Sequence, residues 1–317
     1  MRVFIRAIWI FLFGMPDILA QPQFIREPYL LFPLLINPAL AGAANGPSLA
    51  MTYRQQWPEF PEGPKTQTLA SQFPGRRLSF GGILSRDQNG LTGHTGMELA
   101  LAYRLLVSGN PEDPDASNLL FGFSVEGWQR RVHEDRFTPS GGDPLVGTGN
   151  PALLIANVST GLYFSNRPIF VSLSVRDLIP LKVWKPVSEP GGFQVHLFAG
   201  GRIFLSEGLQ AEPSFRFRTN RLGDSRLDFH TSARILGTGK MAFLTTLAYH
   251  RERLHFKAEN QAVSALFGCR KDSWQLSYRY FYPLTGIQTY TWGTHEWLLI
   301  FRFGNSRNPG VFCPAEF

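Results

Sequence analysis

The last extended segment of the chain, Thr294 to Phe303, alternates almost residue by residue. Trp297, Leu299, Phe301 and Phe303 fall on one face. Glu296 and Arg302 fall on the other, with Leu298 and Ile300 between them. A period of two is that of a β-strand with one oily and one partly polar face. The pattern recurs along most of the sequence. Leu49, Met51, Tyr53 and Trp57 oppose Thr52, Arg54 and Gln56, and Leu227, Phe229 and Ile235 oppose Asp228, His230 and Arg234. Trp274, Leu276, Tyr278, Tyr280 and Tyr282 oppose Gln275, Ser277 and Arg279. So long a succession of such segments suits a sheet closed into a barrel, with lipid outside and a polar lumen inside. Closure leaves no unpaired edge in a medium that offers no hydrogen bonds.

The expected fold is therefore all-β, a transmembrane antiparallel barrel of roughly fourteen strands. The strands are expected near 48–57, 65–74, 77–86, 93–107, 118–132, 151–165, 168–176, 192–205, 209–219, 225–236, 240–250, 253–268, 272–282 and 294–303. Connection lengths give an independent check, because outer-membrane barrels have short periplasmic turns and longer external loops. Even-numbered connections are short near Gly75-Arg76, Asn166-Arg167, Ser206-Glu207-Gly208, Gly237-Thr238-Gly239 and Arg270-Lys271; the turn at Asn110 to Pro114 is the exception. Odd-numbered connections at 133–150, 177–191 and 283–293 are long. Composition agrees: 14% of residues are aromatic and 17% are charged, against roughly 25% charged in soluble domains. Aromatic girdles account for Tyr53, Trp57, Trp128, Trp274, Trp292 and Trp297. The aromatic-ended last strand suits recognition by the insertion machinery.

Residues 1–20 read as an export signal, with Arg2 and Arg6 before the apolar run Ala7 to Phe13 and cleavage expected after Ala20. Residues 21–47 are apolar but broken by Pro22, Pro28, Pro33, Pro38 and Pro47, so they form neither a long helix nor a central strand. This irregular segment is expected either inside the barrel, as a plug, or across its periplasmic mouth. The barrel is expected over 48–304 and a tail over 305–317, with no linker to divide the chain.

The net charge is +7. Lys and Arg are scattered among strands, and an exported chain does not meet nucleic acid, so a basic lumen or contact with anionic outer-membrane lipid is the expected meaning. Arg54, Glu126, Arg216, Arg218, Asp228, His230 and Arg234, with Arg130 and Arg202, fall on lumen faces. Charges there either pair and brace the interior or form a site for an anion. No catalytic, cofactor or metal motif stands out: no Gly-x-Ser-x-Gly, no His-Glu-x-x-His and no Cys-x-x-Cys occurs. His295 and Glu296 are neighbours on a strand and face opposite ways. Cys269 and Cys313 either stand as separate thiols or close one disulfide. Both are expected on the periplasmic side, where a disulfide would pin the tail to the rim.

Short segments resemble the PorP/SprF family of type IX secretion membrane proteins. Asn37-Pro38-Ala39-Leu40-Ala41-Gly42 is similar to its Asn-Pro-Ala-x-Ala-Gly element, and Tyr53-Arg54-Gln55-Gln56-Trp57-Pro58 to its Tyr-Arg-Asn-Gln-Trp-Pro. Ala262-Val263-Ser264-Ala265-Leu266, Tyr278-Arg279-Tyr280, Thr294-His295-Glu296 and Cys313-Pro314 resemble further elements in family order. Gln261 stands where the family often has Asp, and Phe281 where an acidic residue is common. The resemblance implies a non-enzymatic barrel in the outer membrane of Bacteroidota, acting in protein secretion or gliding motility through protein–protein contacts. It implies periplasmic ring or other envelope components and a secreted adhesin or other cargo as partners. Asn37, Pro38, Ala39, Ala41 and Gly42 become a candidate contact segment at the periplasmic rim. The alternative is a transport barrel for fatty acids or small solutes.

Overall fold

A computed structural model of the chain describes residues 28–110, 113, 116–133, 152–178, 181–182, 193–237, 241–254, 258–304 and 311. Residues 1–20, expected to be an export signal, Cys313 and all of the tail except Val311 lie outside the described residues. Fourteen antiparallel strands close into a barrel. They are β1 (Ser48–Gln56), β2 (Lys65–Phe73), β3 (Leu78–Asn89), β4 (Thr92–Ser108), β5 (Ser117–Val132), β6 (Ala152–Asn166) and β7 (Ile169–Arg176). Next comes β8 (Gln194–Gly201, continuing past Arg202 as Ile203–Ser206), then β9 (Leu209–Asn220), β10 (Ser225–Leu236) and β11 (Met241–Arg253). The last three are β12 (Glu259–Lys271), β13 (Trp274–Pro283) and β14 (Thr294–Arg302). Each strand pairs with its sequence neighbours, and β14 pairs with β1 from Ser48↔Arg302 to Gln56↔Thr294, which closes the ring. A two-residue piece, Leu181–Lys182, adds to β6.

The expected strands match the observed ones, with two informative shifts. The twelfth was expected over 253–268 but begins at Glu259, because Arg251-Glu252-Arg253 extends β11 instead of making the turn. Those charges have strand partners: Arg251 pairs with Glu259 at 2.6 Å and Arg218 with Glu252 at 2.7 Å. The third strand runs on to Asn89, because Gly90 (φ +56°) lets the chain reverse within two residues.

Outward positions form an apolar band that includes Leu99, Leu247 and Phe267, each at least 60% exposed. In water so much exposed apolar surface would drive aggregation; in a bilayer it is the solvated surface. Two groups of outward aromatics bracket the band around β14. Tyr53, Tyr278 and His295 surround Trp297 near the long-loop end, with ring centroids 5.5–5.8 Å away. Phe73, Trp274, Phe301 and Phe303 cluster at the short-turn end. Six residues, roughly 20 Å of strand, separate Trp297 from Phe303. No described helix is long and apolar enough to cross a membrane.

A filled lumen in two tiers as the candidate functional site

Every residue from 28 to 44 is buried, and all of them lie inside the barrel. Of the two placements open to the proline-rich segment, the interior one is observed. Prolines begin two short 3-10 helices, Pro33–Leu35 and Pro38–Gly42. Proline fits there because it fixes φ and needs no amide partner at a helix start. The compact helices fill the short-turn half of the lumen. The wall facing them is small or apolar: Ala50, Ala70, Ile83, Ala100 and Ala102 on β1–β4, and Leu244, Leu266, Leu298 and Ile300 on β11–β14. Leu298 and Ile300 interrupt the polar face of the last strand because they pack on this plug and meet no water.

Asn37 fastens the segment. Its Nδ2 donates to Leu162 O at 2.9 Å, Ser172 Oγ at 2.8 Å and Leu173 O at 3.3 Å, while its Oδ1 accepts from Ala39 N at 2.9 Å. Ser174 Oγ donates to Ile36 O at 2.6 Å. The wall lacks side chains where the plug comes closest. A Cβ on Gly161 would overlap the Asn37 side chain, one on Gly122 would overlap the backbone of Pro38 and Ala39, and one on Gly81 would sit 2.8 Å from Leu34 Cδ2. The expectation that Asn37, Pro38, Ala39, Ala41 and Gly42 line the rim as a contact surface is corrected in position: all are buried inside, against the wall. The family-like hexapeptide is a fit between plug and wall in this conformation. Val311, beyond the last strand, is buried in the same core.

Above the plug the lumen is charged, and sheet register builds the network. Arg216, Asp228 and His250 are cross-strand partners on one rung of β9, β10 and β11, all facing inward. Asp228 is the hub: Arg216 Nη2 lies at 2.7 Å, Arg226 Nε at 2.8 Å and His250 Nδ1 at 2.7 Å. Tyr29 of the plug reaches up to it. The Tyr29 hydroxyl donates to Asp228 Oδ2 at 3.1 Å, lies 2.9 Å from His230 Nε2, and its ring carries the Arg216 guanidinium at 3.8 Å. Across the lumen, Glu98 and Glu126 are directly opposed on β4 and β5, and Arg176 of β7 bridges them at 2.5 and 3.4 Å. Glu212 joins Arg202 and Arg234 at 3.1 and 3.2 Å lower down. Arg54 and Arg279 both lie over the Phe281 ring, at 4.6 and 4.4 Å.

The lumen residues expected from sequence therefore converge, with Arg54, Glu126, Arg216, Asp228, His230 and Arg234 buried and Arg218 half-buried. Glu98, Arg176, Glu212, Arg226, His250 and Tyr29 were not singled out, although the strand alternation around Glu98 and His250 carried the signal. Asp228, His230 and His250 are close enough to share a metal ion. The Arg216 and Arg226 guanidiniums already hold the carboxylate, and their charge opposes a dication. Ser264 Oγ, His250 Nε2, His250 Nδ1 and Asp228 Oδ1 also stand in line at 2.8 and 2.7 Å, the order of a hydrolase triad. Arg279, with Nε 3.2 Å from Ser264 Oγ and Nη2 3.4 Å from His250 Nε2, disfavours the imidazolium such chemistry needs. The arrangement braces the wall.

At the long-loop mouth, Glu59 ties two connections together: Thr291 Oγ1 donates to it at 2.7 Å and the Trp292 amide at 3.2 Å. Desolvation pushes the Glu59 carboxyl upward, but these hydrogen bonds and the nearby His295 outweigh it and hold the group below its ordinary value. Cys269 is half-buried on the outward side of β12, opposite Phe243 and Leu276, and its expected partner Cys313 lies outside the described residues.

A closed antiparallel barrel with a lipid-facing band, two aromatic groups and a polar interior is a transmembrane barrel of the outer-membrane class. Its sequence matches the model of the type IX secretion system membrane protein PorP/SprF family over residues 20–301, and the chain belongs to that family. Solved structures similar to it are outer-membrane barrels. A bacterial polysaccharide outer membrane secretin is 12% identical, with a TM-score of 0.40, over 82% of this chain and 99% of that one. BamA from Haemophilus ducreyi lacking POTRA domains 1-3 is 9% identical, with a TM-score of 0.41, over 82% and 71%. The KdgM porin is 8% identical, with a TM-score of 0.38, over 81% and 99%. No curated protein matches the chain.

Proposed function

We propose that this outer-membrane barrel serves type IX secretion as a closed, non-enzymatic assembly component that works through protein–protein contacts at its two rims. The single observation that carries this reading is the buried segment from residue 28 to residue 44, fitted to glycines of the wall and fastened by Asn37 and Tyr29. A lumen occupied by its own chain offers no route for a polypeptide. The rims then remain as working surfaces: the short-turn rim toward periplasmic ring or other envelope components, and the long loops toward a secreted adhesin or other cargo. A role in gliding motility would follow from such an adhesin.

The test is purification of the tagged chain from gently solubilised envelopes, with identification of co-purifying proteins by mass spectrometry. Stoichiometric ring subunits or a large secreted protein support the reading. A barrel recovered alone, even after crosslinking, contradicts it. The transport alternative requires the plug to leave. Solute uptake into vesicles carrying the intact barrel would favour that alternative.

A further inference from the structure

The outward face of the barrel changes character on one arc. On β2–β4 the apolar band ends at Leu69, Leu84 and Met97, which are neighbours across the strands and are all exposed. Two residues nearer the long loops, the outward rung reads Gln67, Arg86, Thr95 and, on β5, Gln129. The next outward rung reads Lys65, Gln88, Gly93 and Arg131. In the other direction the first of these rungs runs on from Gln67 through Tyr53 to Trp297. Those are the outward aromatics of the long-loop group, and such rings mark the depth of the lipid headgroups. The polar rungs therefore begin where the acyl chains end, and the long loops of barrels of this class face the cell exterior.

We propose that this arc, built on Lys65, Arg86 and Arg131, binds the phosphate of a lipid headgroup in the outer leaflet. The three side chains are exposed, and none of them makes an ion pair or hydrogen bond with a described residue. The acids of the same strands face the lumen: Asp87 accepts from Thr66 at 2.6 Å, and Glu98 and Glu126 hold Arg176. Glu62, in the connection after β1, lies beside Gly90 at the turn beyond both rungs. Across the barrel the outward charge is already balanced, since Arg251 of β11 is held by Glu259 of β12 at 2.6 Å. Arg86 stands one strand from Lys65 and two strands, roughly 10 Å, from Arg131. Long flexible stems let such heads meet on one anion. Arginine takes phosphate through paired N–H donors and lysine as a point charge. Gln67, Gln88, Thr95 and Gln129 stand among the cations and both donate and accept, as headgroup hydroxyls do. An acidic protein offers the same charge, but the rungs are continuous with the lipid-facing band and the aromatic group, which favours lipid. The inference concerns the outer wall alone, so its failure would leave the secretion reading standing.

Native mass spectrometry of the purified full chain in neutral detergent tests it. The probes are bisphosphorylated lipid A, the same lipid stripped of its phosphates, inorganic phosphate and polyglutamate. Heat-modifiable electrophoretic migration reports that each variant is folded. The phosphorylated lipid is expected to bind at least tenfold tighter than the stripped one, and more weakly as salt rises. The double variant Arg86→Gln/Arg131→Gln is expected to lose at least tenfold in that affinity with migration unchanged. Arg251→Gln, which removes an outward cation from the other side of the barrel, should leave it as in the parent chain. Equal binding of the two lipids would overturn the proposal, as would a folded double variant that binds like the parent or an Arg251→Gln loss as large as that of the double variant. Displacement of the lipid by an equal concentration of inorganic phosphate would reduce the arc to a site for a free ion and overturn it too. Polyglutamate binding tighter than the phosphorylated lipid would assign the arc to an acidic protein instead.

Discussion

The two tiers of the lumen solve one problem by opposite means. Both must fill a cylinder whose wall presents inward side chains on every second residue. The short-turn half does so mainly with apolar matter, a folded-in segment against alanines, leucines and glycines, beside one ion cluster of Glu212 with Arg202 and Arg234. The long-loop half does so with arginines and carboxylates paired across rungs. An apolar tier tolerates the loss of one contact, because dispersion and burial are spread over many atoms. A buried ionic tier does not: removing one partner strands a charge. Tyr29 joins the tiers, an apolar ring in the plug with its hydroxyl on Asp228.

The largest effect should therefore come from the ionic tier. Arg176→Met leaves Glu98 and Glu126 facing each other, and we expect a loss of about 3–5 kcal/mol in denaturant-induced unfolding of the refolded barrel. Adding Glu98→Gln should return much of it; failure of that rescue would show that Arg176 acts by packing alone. Next comes the fit of the plug. Gly161→Val places side-chain atoms on Asn37, with an expected cost of about 1–3 kcal/mol from overpacking. A cysteine introduced at Ala39 should react with a water-soluble maleimide in that variant and stay protected in the parent barrel.

Breaking the joint should be milder. Tyr29→Phe keeps the ring under Arg216 and removes the hydroxyl, for about 1 kcal/mol. The smallest effect is at the mouth. The hydrogen bonds to Glu59 lower its pKa, so their contribution is present above the ordinary carboxylate value of 4.5 and is lost as the pH falls through the lowered one. Protease cleavage in the connection after β13 should rise only in that acid range. Glu59→Gln should remove the pH dependence.

The barrel was legible because a period of two survives noise: the strands at 48–57, 209–219 and 225–236 lie within about a residue of where alternation placed them. The ion pairs were half legible. Alternation tells which side a charge faces, but pairing such as Arg176 with Glu98 depends on register across strands distant in sequence. The plug was the least legible element. Its apolar run has no period, since 3-10 turns and prolines follow neither strand nor helix spacing. The overlooked signal was in the wall: Leu298 and Ile300, or Ala50 and Ala70, are apolar at lumen positions and imply apolar matter opposite.

The most direct measurement is the conductance of the intact purified barrel in a planar bilayer, beside a variant lacking residues 28–44. A lumen filled in two tiers predicts no stable ohmic conductance from the intact chain and a rise only when the segment is removed. Steady open-pore conductance from the intact chain, unchanged by the deletion, would contradict it.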